Sequence, residues 1–157
     1  MRRGATAVLK WFSALYVVLI VIQVYLAGEG IFGLNVIKHS DDCDKSGANA
    51  ISAQCAGNSK TLDAHRALGF FLTGPGAILF LIVALIAWSP DKRIRTISII
   101  VPILTFVQMI LPGTGRWGAA LHPVNAIVIL FMYGWLFHTL RKQKPAEAAE
   151  PAAAPTG

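Results

Sequence analysis

Residues 61–88 read TLDAHRALGFFLTGPGAILFLIVALIAW, a short polar opening followed by a run that is almost wholly apolar. A helix crosses the hydrocarbon core of a bilayer with about 20 consecutive apolar residues, so this run is long enough to span it. Three further segments have the same character, which gives four predicted spans at about 8–27, 65–88, 94–111 and 121–140. The sequence therefore predicts an all-α membrane protein, a four-transmembrane-helix up-and-down bundle.

The rest of the 157-residue chain is assigned around these spans. Residues 1–142 are predicted to form the transmembrane domain, with an outer loop at 28–60, and the Pro/Ala/Glu-rich residues 143–157 a disordered cytoplasmic tail. The first apolar run is too long for the usual core of a signal peptide, so we expect a retained helix. The glycines of residues 28–33 predict a turn or close backbone approach, or simply a flexible exit from the helix. No internal sequence repeat is evident.

The distribution of charge predicts the orientation in the membrane. The net charge is +6, but nine of the fourteen basic residues fall before span one, between spans two and three or after span four, where only three acids oppose them. By the positive-inside rule, both termini are cytoplasmic and the loop at 28–60 faces outward from the plasma membrane. The basic excess is thus a topology signal and not a nucleic-acid surface. The expected partners are the lipid bilayer and either a redox partner or further copies of the chain.

Both cysteines, Cys43 and Cys55, fall in the predicted outer loop. Two cysteines in an oxidising compartment most simply form one disulfide, which would hold a polar loop over the bundle. The functional alternative is a redox-active pair. A membrane thiol oxidoreductase, however, needs a Cys-x-x-Cys motif or a second pair to pass electrons onward, and the sequence has neither, which favours the structural disulfide.

Polar and ionisable side chains gather at one depth of the predicted bundle, near the outer leaflet. Such residues are costly within membrane spans and usually face the bundle interior, so a functional site is the first hypothesis. The residues at this depth are Gln23, His65, Arg66, Gln108, His122 and Asn125, with Arg116 just above them.

His65 and His122 come at the same end of spans two and four and are the predicted metal ligands. These spans occupy diagonal corners of an up-and-down bundle, about 11–14 Å apart if neighbouring helices lie about 8–10 Å apart. That distance admits two imidazoles with an iron between them, as in a bis-histidine b-type haem. Gly69 and Ala126 each follow a histidine by four positions, on the same helix face, and leave room for a flat macrocycle.

Two arginines and the position of the histidines add to this interpretation. Arg66 and Arg116 lie on the side of the membrane where positive charge is disfavoured, and would pair with haem propionates. A position near a helix N-terminus favours the neutral imidazole that binds metal. The alternative is a plain interhelical hydrogen-bond layer, in which two histidines and two glutamines only hold the bundle together.

The order of these features resembles one four-helix half of the haem A synthase family. The resemblance covers about residues 23–126 and implies haem ligands on the second and fourth helices. It matches His65 and His122 to those ligands, Arg66 to the arginine after the first ligand, and Cys43 with Cys55 to the loop pair. Leu62 stands where the family has its catalytic glutamate, and the second bundle is missing, so two copies of the chain would be needed for a two-haem enzyme.

A closer likeness is to small four-helix membrane proteins of actinobacterial type. They share the Asp-x-His-Arg motif, here residues 63–66, and the Leu-His-Pro-x-Asn-Ala motif, here residues 121–126. This resemblance implies no activity. Three functions follow, in order of preference. The first is a haem b protein serving electron transfer, redox sensing or haem handling. The second is a cofactor-free structural or assembly subunit, and the third a quinone-linked thiol oxidoreductase.

Overall fold

The computed structural model describes residues 2–37 and 60–143, and every regular element within these ranges is helical. A π-helical turn at Leu72–Gly76 joins α2 to α3, and a 3₁₀ turn at Leu111–Gly113 follows α4. The helices are α1 (Arg2–Ile37), α2 (Lys60–Phe71), α3 (Ala77–Ala87), α4 (Lys92–Ile110) and α5 (Arg116–Lys142).

Four stretches of these helices are long and apolar enough to cross a membrane, which confirms the prediction of a four-helix membrane protein. Span one lies in α1, span two runs through α2 and α3, span three lies in α4 and span four is α5; their bounds are Gly4–Gly28, Asp63–Ala87, Lys92–Gly113 and Arg116–Lys142. Each helix packs mainly on its neighbours in chain order, and α1 packs on α5. Spans two and four therefore stand at diagonal corners.

Two predicted boundaries are wrong. The helix of span one continues to Ile37, so the glycines of residues 28–33 lie within a helix and form neither a turn nor an exit. Glycine lowers helix stability by about 1 kcal/mol per residue, which a long helix with apolar neighbours tolerates. Span four begins at Arg116, so His122 and Pro123 lie about two turns inside α5 and do not open it. The cysteines and the tail from residue 144 lie outside the described residues.

The half of the bundle that contains Arg2 and Lys142, which we call the terminal half, is closely packed. Its centre is an aromatic cluster of Phe12, Tyr16, Phe80 and Tyr133, whose ring centroids lie 4.5–5.6 Å apart. Ser13 is buried beside it and donates to the carbonyl of Leu9 within its own helix. The buried side chains around the cluster include Leu9, Ala84, Ala87, Ile94, Val101, Leu136 and Leu140.

Proline at position 75 interrupts the α-helical hydrogen bonding of span two, as its sequence predicts. Pro75 has no backbone N–H, and the chain forms a π-helical turn around it. The hydroxyl of Tyr16 donates to the carbonyl of Leu72 in this turn, over 3.0 Å. A Cβ on Gly76 would lie 2.6 Å from the same hydroxyl, so glycine is needed here for α1 to approach. The interruption is thus stabilised by α1.

The far half of the bundle, which we call the pocket half, is less closely packed. The outer part of span two, α2, packs on α1 but makes few contacts with α4 or α5. The two helical hairpins, spans one with two and spans three with four, consequently separate at this end. The space between them is where the predicted site residues lie.

Candidate functional site

His65 and Gln23 hold each other across α1 and α2 through two hydrogen bonds. The side-chain amide of Gln23 donates to the main-chain carbonyl of His65 over 2.9 Å. In return, Nδ1 of the His65 ring lies 3.0 Å from the main-chain carbonyl of Gln23. Each side chain therefore bonds to the backbone of the other residue, which fixes both the helix pair and the orientation of the imidazole.

The same arrangement occurs a second time, between α4 and α5. Gln108 donates its amide to the carbonyl of His122 over 2.8 Å, and Nδ1 of His122 lies 3.2 Å from the carbonyl of Gln108. Each hairpin of the bundle thus contains one reciprocal glutamine–histidine pair. The arrangement is repeated although the sequence shows no repeat, because in each case the pairing joins two residues on different helices.

These bonds determine which ring nitrogen carries the proton. A carbonyl oxygen can only accept a hydrogen bond, so in both rings Nδ1 must be the donor. In a neutral imidazole the other nitrogen, Nε2, then keeps its lone pair. Neither Nε2 bonds to any described residue, so both are free to act as a metal ligand or as a hydrogen-bond acceptor. This is the tautomer that a metal bound through Nε2 requires, with Nδ1 held by a carbonyl.

The two pairs differ in how the glutamine oxygen is satisfied. The Oε1 atom of Gln108 accepts from the amide of Asn125 over 2.7 Å, and Asn125 also donates to the carbonyl of Leu104. On the other hairpin, three positions after His65, stands Leu68, which has no polar group. The Oε1 atom of Gln23 is buried and has no partner among the described atoms. A buried acceptor without a donor costs about 1–3 kcal/mol, so this atom marks a place where a ligand or water would bind.

Both pairs line one cavity of about 620 Å³ between the hairpins. Tyr16 and Thr105 lie deepest along their helices, next to the aromatic cluster, and apolar side chains form most of the wall. The cavity reaches the lipid-facing surface, since Phe70 and Ile127 line it and are 66% and 53% exposed. The predicted site residues in its wall are Gln23, His65, Arg66, Gly69, Gln108 and His122, together with Ala126.

Gly69 is where it is because Gln23 occupies the adjacent space. A Cβ at position 69 would lie 2.7 Å from the Nε2 atom of Gln23, closer than real Cβ contacts. The small residue thus makes room for the glutamine that holds His65, and not only for a cofactor as the sequence suggests.

The two arginines fare differently. Arg66 lines the cavity and forms an ion pair with Asp63 over 3.4 Å, in which both side chains are 57% exposed. Arg116 is exposed at the start of α5 and does not line the cavity. Among the sequence-predicted propionate partners, the structure therefore brings only Arg66 to the site.

Sequence reasoning missed Tyr16, Thr73 and Thr105 as lining residues. Each lies one to three helical turns from a predicted site residue and looks like an ordinary core residue in sequence. Their role depends on the separation of the hairpins, which no local pattern reports.

Comparison with known protein families, with curated proteins and with solved structures finds no match to this chain. The site is therefore interpreted from its own donor atoms. Within residues 2–37 and 60–143, no group of three or more His, Cys, Asp or Glu side chains is placed to hold a metal ion. A structural zinc ion requires about four protein ligands. Two histidines alone are the ligand set of a metal that carries its remaining ligands with it.

Proposed function

We propose that this membrane protein binds one b-type haem in the cavity between spans two and four, with the Nε2 atoms of His65 and His122 as axial ligands. The observation that carries the proposal is the matched state of the two rings. Both are neutral donors at Nδ1, both are held by a glutamine, and both line the same cavity. A porphyrin supplies four equatorial nitrogens, which is what a site with two protein ligands lacks.

The size and the wall of the cavity fit a flat, largely apolar ligand. Pockets for cofactors have volumes of about 300–1,000 Å³ and are mostly apolar with a few fixed polar groups. The present cavity falls within this range. Every fixed amide donor near the histidines is already used on a main-chain or side-chain oxygen. The cavity therefore offers lone pairs to its ligand, which suits a metal centre better than it suits a carbonyl-bearing ligand.

Arg66 is the residue that would pair with a haem propionate. Its present bond to Asp63 is long and exposed, and an exposed ion pair of this kind contributes about 0–1 kcal/mol. The guanidinium can therefore exchange this partner for a carboxylate at the cavity mouth at little cost. Arg116 is not proposed for this role because it does not line the cavity.

A haem with two histidine ligands supplies one-electron chemistry without an open iron position, so the proposed role is electron transfer, redox sensing or haem handling. We place the site near the outer leaflet of the plasma membrane, with both termini cytoplasmic, from the charge distribution in the sequence. The likeness to half of the haem A synthase family supports the same ligand set. A redox partner or a second copy of the chain would complete the electron path.

The deciding test uses asparagine in place of each histidine. The side-chain amide of asparagine hangs on Cγ, as Nδ1 of histidine does, so His65→Asn and His122→Asn keep a donor for the glutamine carbonyl and remove Nε2. We expect the purified wild type to show the split low-spin bands of a six-coordinate haem after dithionite reduction, and each variant to lose them. His138 is exposed and lies outside the cavity, so His138→Asn is the matched control and keeps the bands.

The runner-up function is a cofactor-free structural or assembly subunit. It is favoured by the fact that both glutamine–histidine pairs join neighbouring helices and would stabilise each hairpin without any ligand. It predicts a protein that is colourless after expression with ample haem, and asparagine variants as stable as the wild type. A colourless wild type would decide for this function and against haem binding.

A further inference from the structure

A second groove lies in the terminal half, away from the cavity, between the start of α4 and the lipid-facing side of α5. It has a volume of about 290 Å³ and is lined by Lys92, Arg93, Thr96, Ile97 and Trp135. Its polar residues are all at one end, contributed by the first turns of α4. Ile97 and Trp135 form the other end, which continues into the apolar surface of the span.

The two cations at the mouth of this groove have no acidic partner among the described residues. The nearest carboxylate in sequence, Asp91, caps α4 by accepting from the backbone N–H groups of Arg93 and Ile94 over 2.8 and 3.4 Å. Arg95, in contrast, lies over the ring of Trp88, with 5.0 Å to the centroid. Of the three basic residues in this turn, Lys92 and Arg93 are thus the ones available to an external anion.

The groove therefore combines a cationic end with an apolar end. Trp135 is 38% exposed, and Ile100 on the next turn of α4 is 41% exposed, so the apolar end lies against lipid chains in the membrane. The hydroxyl of Thr96 bonds to no described residue and is available as a donor beside the cations. A ligand that fits must carry an anionic head with oxygen acceptors and an attached acyl chain.

We propose that this groove binds an anionic phospholipid, with its phosphate-bearing headgroup on Lys92, Arg93 and Thr96 and an acyl chain along Trp135. Charge complementarity selects this occupant over a zwitterionic lipid, because Lys92 and Arg93 meet no negative group from the chain itself. A basic residue near a membrane surface contributes about fivefold to the binding of an anionic lipid. The pair therefore gives a preference of about twenty-five-fold over phosphatidylcholine.

Trp135 makes the proposal directly measurable, because the chain has only three other tryptophans, at positions 11, 88 and 117. Replacing these three by phenylalanine leaves Trp135 as the single fluorophore of the full-length protein. The protein is reconstituted in phosphatidylcholine vesicles that contain increasing fractions of brominated phosphatidylglycerol, whose bromine quenches tryptophan on contact. Brominated phosphatidylcholine at equal fractions gives the reference. We expect phosphatidylglycerol to quench Trp135 at much lower mole fractions.

Two double variants separate a specific groove from a general surface charge. Lys92→Gln with Arg93→Gln should bring quenching by phosphatidylglycerol close to the phosphatidylcholine reference. Arg141→Gln with Lys142→Gln removes the same charge from exposed residues of the same half, and should leave the preference within about twofold. Thr96→Val should reduce it by a smaller factor. Equal quenching by the two lipids in the parent, or equal loss in both double variants, would overturn the proposal.

Discussion

The rings of Tyr16 and Tyr133 stack with their centroids 4.5 Å apart at the boundary between the packed terminal half and the cavity. Their hydroxyl groups go to different places. Tyr16 donates to the carbonyl of Leu72 in the π-helical turn, whereas the hydroxyl of Tyr133 lies 3.2 Å from that of Thr105. Since the Thr105 hydroxyl donates to the carbonyl of Val101, Tyr133 must be the donor in their shared bond. The stacked pair thus closes the floor of the cavity and fixes spans two and three against it.

This difference predicts unequal effects of removing the two hydroxyls. Tyr16→Phe leaves the Leu72 carbonyl, beside Pro75, without its donor, and we expect a loss of about 1–3 kcal/mol in the free energy of unfolding. Tyr133→Phe leaves Thr105 bonded to Val101, so we expect a loss of about 1 kcal/mol or less. Denaturant unfolding in detergent micelles measures both. A larger loss for Tyr133→Phe would contradict the assigned hydrogen bonds.

Removing either glutamine should weaken the hairpin to which it belongs. Gln23→Leu and Gln108→Leu each remove the side-chain bond to a histidine carbonyl, and interhelical bonds of this kind contribute about 0.6–2 kcal/mol in membrane proteins. Gln108→Leu should be the more costly change because it also strands the amide of Asn125. Gln143→Leu, at an exposed position after α5, serves as the control and should change stability by less than about 0.5 kcal/mol. A neutral Gln108→Leu would argue against the reciprocal pairs.

Two glycines of the helices should resist even a methyl group. In Gly76→Ala the new Cβ would lie 2.6 Å from the Tyr16 hydroxyl and 3.0 Å from the Phe71 carbonyl, and overpacking of this kind costs about 1–3 kcal/mol. Gly69→Ala meets the Gln23 amide at 2.7 Å and should displace it from the His65 carbonyl.

Gly134→Ala provides the matched control for both glycine substitutions, since no atom lies within 4 Å of a Cβ at that position. Because alanine favours the helix by about 1 kcal/mol relative to glycine, this variant should be neutral or more stable. Thermal unfolding of the purified variants ranks all three. If Gly76→Ala and Gly134→Ala gain stability alike, the close approach of α1 to the π-helical turn is wrong.

Two aspartates at helix starts should differ in their contributions. Asp91 accepts from two backbone N–H groups as the N-cap of α4, and its replacement by alanine should cost about 0.5–2 kcal/mol. Asp63 makes only the exposed ion pair with Arg66, so Asp63→Ala should change stability by less than about 1 kcal/mol. Unfolding measured at low and at high salt separates the two, because salt screens the ion pair and leaves the cap bonds largely intact.

The sequence by itself determined the four spans, the interruption at Pro75 and the common depth of the polar residues. These features follow from local composition, since a bilayer selects long apolar runs whatever their partners, and proline removes a hydrogen bond wherever it stands. Composition failed at helix ends, where α1 continues through residues 28–33 and α5 begins at Arg116, because glycine and proline disfavour a helix by amounts that the flanking residues offset.

Only the tertiary structure decided how the site is built. It pairs Gln23 with His65 and Gln108 with His122, leaves Arg116 outside the cavity and brings Tyr16 to its floor. These relationships join residues 14 to 56 positions apart in the chain. The tautomer of each imidazole depends on one carbonyl oxygen of a neighbouring helix, and that oxygen belongs to a backbone position which any residue type provides. The packing of helices therefore determines it, and no sequence pattern can.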